Sequence, residues 1–406
     1  MSRRFNSVPF VFIITSRSPS SRPSPAGRGS LAKCLFFNRE WMRSDANETE
    51  HSFSLQGEDG RRPDEGENGD DFLVRDFNKR LQMSRLNIEK ELLEGAIIRE
   101  PVGDEKGYWV GAPGWCWDEL GQAAYLTYRI RRPRGVEPDR GGESRIARTT
   151  DFKTFDDVWS VQKSQYDSAS IEKSALKRGP DGRWRYFTSF VAPEDGRWCT
   201  TINQAETVEA LDPANTKRLF SATDLGLEGV KDPWLMEVDG VYHLFLSVAK
   251  STATTGDGSH DTLDIFNTGE CVSATALATS TDLDHWEWQG IVLEPEGDTA
   301  WDKYCRRINS VLLLNGRYYA FYDGSAGHHE NYEEKTGLVV SDDLKSWEVL
   351  SPDGPVVFSP HASGSLRYID AQRVGDEIIF IHELTRANGA HEMRLAKFAA
   401  DGFSLV

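Results

Sequence analysis

Along most of the chain, apolar and polar positions alternate in short runs closed by turn residues, and residues 229–247 show the pattern most fully. Asp239-Gly240 sits between two apolar runs. It predicts a two-residue hairpin turn, because a type I′ turn needs positive φ at both central positions. In the second run Tyr242, Leu244 and Leu246 alternate with His243 and Phe245. Pro233 cannot donate to a sheet ladder, so it is expected at the start of the first strand. Asp232 would then stand at the mouth of whatever the sheet encloses.

The same unit recurs at Asp181-Gly182 and Asn315-Gly316, with a weaker copy at Gly375. The turn glycines are 58, 76 and 59 residues apart, and the long interval holds a polar insertion, 251–269, expected as a loop on one face. A second motif places an aromatic ring four positions after an acid: Asp151 and Phe155, Asp282 and Trp286, Asp343 and Trp347. It reads as a strand ending in an Asp-stabilised turn whose ring packs on a neighbouring sheet. These acids and rings are assigned to turn and core. A four-strand unit repeated at this period predicts an all-β fold, a five-bladed β-propeller. Its blades are expected at about 107–160, 166–222, 228–295, 304–358 and 363–406.

Upstream the pattern is absent. Residues 1–82 pass from an Arg/Ser/Pro-rich stretch to an acidic, Gly-rich one and are expected to be a disordered or non-native extension. The apolar run 8–14 after Arg3-Arg4 resembles the start of a signal peptide but is short and lacks a nearby cleavage site. The alternative is an upstream start codon, with Met42 or Met83 as the true start. Localisation is left between cytoplasmic and periplasmic or secreted. Residues 83–106 are expected as a lead-in, helical over 89–96, to a single propeller domain over 107–406.

Composition narrows the function classes. The 406 residues carry a net charge of -17, which repels phosphate backbones, so no nucleic-acid partner is expected. No apolar run approaches a membrane span, so no membrane partner is expected either. Five scattered cysteines (Cys34, Cys116, Cys199, Cys271 and Cys305) suggest neither a disulfide framework nor a zinc site. No metal or cofactor is expected. His243, in mid-strand, reads as a core histidine.

In a propeller the innermost strands begin around a shared funnel, so charged residues at those starts converge. Candidates are Trp115, Trp117, Asp118 and Glu119 in blade one, Glu172 in blade two, and Lys231, Asp232 and Trp234 in blade three. Blade four offers Arg306, Arg307 and Asn309, and blade five Arg367 and Asp370. Carboxylates among aromatic rings suit glycoside chemistry: one acid protonates the leaving oxygen, another activates water or attacks, and flat rings stack on sugar. Each candidate has a plainer alternative. Asp118 and Glu119 also read as a solvated pair, Glu172 as a salt-bridged strand residue, the tryptophans as core, and the arginines as structural partners.

On the Ser-x-Asp-Leu-x-x-Trp repeats, the Lys231-Asp232-Pro233 segment and the closing segment 366–370, the stretch 107–406 resembles the five-bladed propeller glycoside hydrolases. These are the arabinanase/xylosidase-like and levanase/invertase-like groups. The resemblance implies three acids in a funnel: Asp118 as base or nucleophile, Glu172 as general acid and Asp232 as the positioning acid. It also implies a carbohydrate substrate, with Trp115, Trp117, Trp234, Arg306, Arg307 and Arg367 around it. The chain departs from the family order, which runs Asp, Asp, Glu. Should the Asp-Pro blade be the family's second, the general acid belongs near blade four, whose inner strand has no Glu. The leading expectation is hydrolysis of glycosidic bonds in an oligosaccharide or polysaccharide fragment. A phosphorylase holding phosphate on Lys231, Arg306, Arg307 and Arg367, or a non-catalytic sugar-binding propeller, is the alternative.

Overall fold

The computed structural model describes residues 86–405. The extension expected over 1–82 and its signal-like run lie outside the described residues. After a short helix α1 (Glu89–Leu93), strand β1 (Ala96–Arg99) leads into blade one. That blade comprises β2 (Trp109–Asp118), β3 (Ala123–Arg132), β4 (Arg140–Thr149) and β5 (Asp156–Gln162). Blade two is β6 (Ile171–Arg178), β7 (Trp184–Val191), β8 (Trp198–Ala205) and β9 (Lys217–Phe220). Blade three is β10 (Gly229–Val238), β11 (Val241–Ser251), β12 (Cys271–Ser280) and β13 (Glu287–Leu293). Blade four is β14 (Cys305–Leu314), β15 (Arg317–Ser325), β16 (Lys335–Ser341) and β17 (Glu348–Val349). Blade five begins with β18 (Leu366–Val374), β19 (Glu377–Thr385) and β20 (His391–Ala399).

The fifth blade is completed from the other end of the domain. β1 pairs antiparallel with β20, so the segment expected as a lead-in supplies the outermost strand of blade five. Arg99 then ties that strand to blade one through Asp157 at 2.9 Å and the Tyr128 hydroxyl at 3.1 Å. Closing the ring in this way removes the open seam between first and last blades.

The expected two-residue turns are present at two sites, whereas Asp181-Gly182 lies in a longer loop between Arg178 and Trp184 where Gly182 alone of the pair has positive φ (82°). Asp239 and Gly240 both have positive φ (51° and 76°), as do Asn315 and Gly316 (51° and 80°). Asp151, Asp282 and Asp343 each accept two backbone N–H groups from the turn that follows, as assigned. Both faces of β11 are buried, since Leu244, Leu246 and Phe245 are all inaccessible. Blades pack face to face, so a blade has no solvent side along its inner strands. Cys116, Cys199, Cys271 and Cys305 are free and buried. Among the described residues no helix is long and apolar enough to cross a membrane.

Two expectations need correction. Pro233 lies inside β10 rather than at its start, in a bulge where pairing slips between Lys231 and Trp234. A bulge residue needs no ladder partner, which is why Pro is tolerated there. In blade one the inner strand begins at Trp109, so Trp115, Trp117 and Asp118 lie towards its end, with Glu119 in the turn beyond. Gly111, Pro113 and Gly114 look like strand breakers by local rules, yet they occupy the equivalent bulge.

Candidate active site

All five inner strands break register at one level. The slips fall between Gly111 and Gly114, Ile171 and Ser174, Lys231 and Trp234, Ile308 and Ser310, and Arg367 and Asp370. Ala112, Asp232 and Tyr368 adopt positive φ there (49°, 56° and 53°). Asp visits this region readily, whereas Ala and Tyr do so at a cost that the surrounding bonds must offset. Each of these amides donates to a side chain on the second strand of the preceding blade. Ala112 N–H bonds Glu383 Oε2 at 3.0 Å, Asp232 N–H bonds Ser189 Oγ at 3.1 Å, and Tyr368 N–H bonds Asp323 Oδ1 at 3.0 Å. Glu172 and Asp232 therefore occupy matching places in neighbouring blades.

Around this level runs a buried chain of alternating charge. Arg307 pairs with Glu334, whose Oε2 meets Arg367 Nη1 at 2.7 Å. Arg367 Nε and Nη2 reach Glu383 Oε1 at 3.0 and 2.7 Å, and His391 Nδ1 meets the same oxygen at 2.6 Å. Glu383 Oε2 lies 3.7 Å from Arg129 Nη2; Arg129 Nε lies 2.8 Å from Glu172 Oε2, and Glu172 Oε1 lies 3.5 Å from Arg131 Nη1. Arg131 is held between the Tyr332 and Trp109 rings, 4.2 and 5.1 Å from their centroids. Removing one member would strand the charge of its neighbours, a loss of about 3–5 kcal/mol.

The acids differ in their surroundings. Burial opposes ionisation of Glu172, but Arg129, Lys231, Arg131 and Arg367 outweigh it and hold its carboxyl below the ordinary range. Glu334 is buried too and is likewise held low by Arg307 and Arg367. For Glu383, burial is outweighed chiefly by Arg367 and His391. Asp323 goes the other way: burial, reinforced by Glu334, raises it to about 7 against the pull of Arg307. Burial lowers Arg131 to about 10, with Glu172 opposing. Asp232 has Lys231 Nζ 3.5 Å from Oδ2, and neither carboxylate oxygen has a hydrogen-bond partner among the described residues. Lys231 itself lies 4.7 and 4.9 Å from the Phe266 and Trp198 ring centroids.

The insertion between β11 and β12 roofs the centre. Asp264, Ile265 and Phe266 are buried. Asp264 accepts from Trp198 Nε1 at 3.0 Å and from the Tyr332 hydroxyl, and lies 3.6 Å from Arg140 Nη2. The Phe266 carbonyl accepts from the Tyr304 hydroxyl at 2.8 Å. The roof, an insertion of blade three, is thus bonded to blades one, two and four.

Of the residues expected at the site, the structure brings together Glu172, Asp232, Arg307 and Arg367. It does not bring Asp118, which lies about 20 Å along β2 from the bulge and pairs with Arg178 at 3.3 Å. Trp115 donates to the Asp370 carbonyl at 3.2 Å and stands edge-on to Phe152, while Trp117 stacks on Phe152. Trp234 donates to Asp370 Oδ1 at 3.0 Å. Trp115 and Trp234 thus tie their inner strands to blade five, and Trp117 packs within blade one. Arg306 points to Asp302 (2.7 Å) and the Glu294 carbonyl (3.1 Å), because neighbours on a strand face opposite sides. Sequence reasoning missed Arg129, Arg131, Asp323, Glu334 and Glu383. A signal for some existed: Ser189, Ser247 and Asp323 each fall seven residues past a turn glycine, and Glu383 eight. Among the described residues no group of three or more His, Cys, Asp or Glu is arranged to hold a metal.

No family model matches the sequence, and no curated protein matches it. Solved structures do match in shape. A glycoside hydrolase superposes with a TM-score of 0.53 at 10% identity, covering 81% of this chain and 98% of its own. A thermostable family-43 glycoside hydrolase gives 0.51 at 12% identity, covering 75% and 94%. A glycosyl hydrolase from Bacteroides ovatus gives 0.51 at 12% identity, covering 77% and 96%. At such identities the likeness establishes the fold, and the chain is a five-bladed β-propeller.

Proposed function

We propose that the chain is a glycoside hydrolase acting on an oligosaccharide or polysaccharide-derived fragment at the centre of the ring. The observation that carries this reading is the pair Glu172 and Asp232. They stand at matching bulges of adjacent blades, Glu172 ion-paired with Arg129 and Arg131, and Asp232 buried with neither carboxylate oxygen hydrogen-bonded among the described residues. Buried carboxylate atoms left without donors are costly and cluster where chemistry is done. Glu172, ringed by cations, stays ionised and suits a base, a nucleophile or charge stabilisation rather than the proton-donor role first expected of it. Asp118 has no part in this arrangement.

Phosphorolysis is the second reading, because Arg307 Nε and Arg129 Nη1 are buried donors without acceptors among the described residues. Against it, Arg306 points away, and Arg367 directs three nitrogens at Glu334 and Glu383. Screening aryl-glycosides and plant or algal oligosaccharides, with and without phosphate, tests the proposal. Phosphate-independent turnover, lost in Glu172→Gln and Asp232→Asn, is the expected result. Phosphate-dependent turnover supports the second reading. Glycan binding that survives both changes, with no product released, identifies a sugar-binding propeller instead.

A further inference from the structure

Blade four supplies no carboxylate at its bulge, where Ile308 and Asn309 stand. It supplies one at the same level from its second strand. Asp323 lies opposite Arg307 in the β14–β15 pairing and is fully buried. Its Oδ1 accepts the Tyr368 amide, whereas Oδ2 is buried without a hydrogen-bond partner among the described residues. Arg307 and Lys173 each interact electrostatically with both Asp323 and Asp232, so the two acids feel the same cations. Asp232 and Asp323 are thus two acids at the centre that the alternating ion chain does not absorb.

We propose that Asp323 is the proton donor of this site, an inference that rests on the glycoside-cleaving reading. The Tyr368 amide fixes Oδ1 as an acceptor, which leaves the proton on Oδ2. That proton passes to the glycosidic oxygen as its bond to the sugar carbon breaks. Water adds its hydroxyl to that carbon and gives its proton to an ionised carboxylate, and return of this proton to Asp323 restores the enzyme. The groups facing Asp323 fit the assignment. Burial and Glu334 favour the protonated form, Arg307, Arg367 and the Tyr368 amide oppose it, and the balance lies at about 7. Glu172, Glu334 and Glu383 are held too low to donate at neutral pH.

Asp323→Asn tests this, since an amide oxygen can still accept from Tyr368 while the acidic proton is gone. Two substrates of one sugar are compared, one with an alkyl leaving group and one with a dinitrophenyl group that departs without protonation. For the alkyl substrate kcat/KM should fall by about 10²–10⁴-fold, and for the dinitrophenyl substrate by less than about tenfold. The basic limb of the pH profile should disappear. Equal losses on both substrates, or a retained basic limb, overturn the assignment. If D323N fails to fold, wild type decides: activity on the alkyl substrate alone should decline above about pH 7, and identical profiles overturn the assignment. A wild type that cleaves no glycoside removes the underlying reading too. A wild type that needs Glu172 and Asp232 but shows no leaving-group effect in D323N removes only this inference.

Discussion

Arg367 and Glu383 meet on neighbouring strands of blade five, with Nε and Nη2 of the arginine both directed at one carboxylate oxygen, at 3.0 and 2.7 Å. Glu383 also accepts the Ala112 amide of blade one, so the pair bridges the place where the ring closes. Glu383→Gln should therefore cost about 3–5 kcal/mol in denaturant unfolding. Replacing both residues by well-packed apolar ones should cost markedly less than that single change.

The titrations make two opposite claims about stability. Glu172, Glu334 and Glu383 have depressed folded values, so they stabilise above their ordinary value near ~4.3 and that contribution is lost as pH falls. Asp323 is raised to about 7, so its contribution is full below its ordinary value near ~3.9 and is lost as pH climbs towards 7. The urea midpoint of D323N relative to wild type should consequently improve between pH 5 and pH 8. A difference that does not change with pH would contradict the raised value.

Phe266 lies over Lys231, and its carbonyl is bonded to Tyr304. Beneath it Cys271 is buried, its Sγ 3.5 Å from the Ile265 carbonyl and its thiol pushed up to about 12, mainly by burial. Phe266→Ala should loosen this roof, at a cost of about 3–5 kcal/mol. In a variant retaining Cys271 as the sole cysteine, labelling by a thiol reagent should accelerate. Unchanged labelling would mean the roof stays shut without the ring.

Asp118 offers a control of opposite sign. It is far from the central acids and paired to Arg178, so Asp118→Asn should leave kcat/KM within about threefold while costing about 1 kcal/mol of stability. A loss of turnover as large as that in Glu172→Gln would restore Asp118 to the reaction.

Strand β1 should behave as a latch. Arg99→Ala removes the bonds to Asp157, Tyr128 and the Phe155 carbonyl, and should lower stability by about 2 kcal/mol. Hydrogen exchange should speed up in β1 and β20 before the other blades. Uniform acceleration across all blades would deny the latch.

Much of this architecture was legible in one dimension because its determinants are local. Asp239-Gly240 and Asn315-Gly316 dictate their turns through the φ values they tolerate, and Asp151, Asp282 and Asp343 cap turns with side chains only two or three residues away. Their recurrence gave the blades, and Glu172 and Asp232 could be found because they lie on the inner strands those blades define. Asp118 was misplaced because Gly111, Pro113 and Gly114 mimic a strand's end when only neighbours along the chain are considered. The partnership of Asp323 with Tyr368, and of Glu383 with Arg129, joins second strands to the next blade around a closed ring. No spacing along the chain encodes such a meeting. The sequence by itself determined the turns, the repeat and two of the central acids, since each depends on backbone preferences or period. Only the tertiary structure decided which charges face one another, because burial and convergence on the axis exist only once the ring is closed.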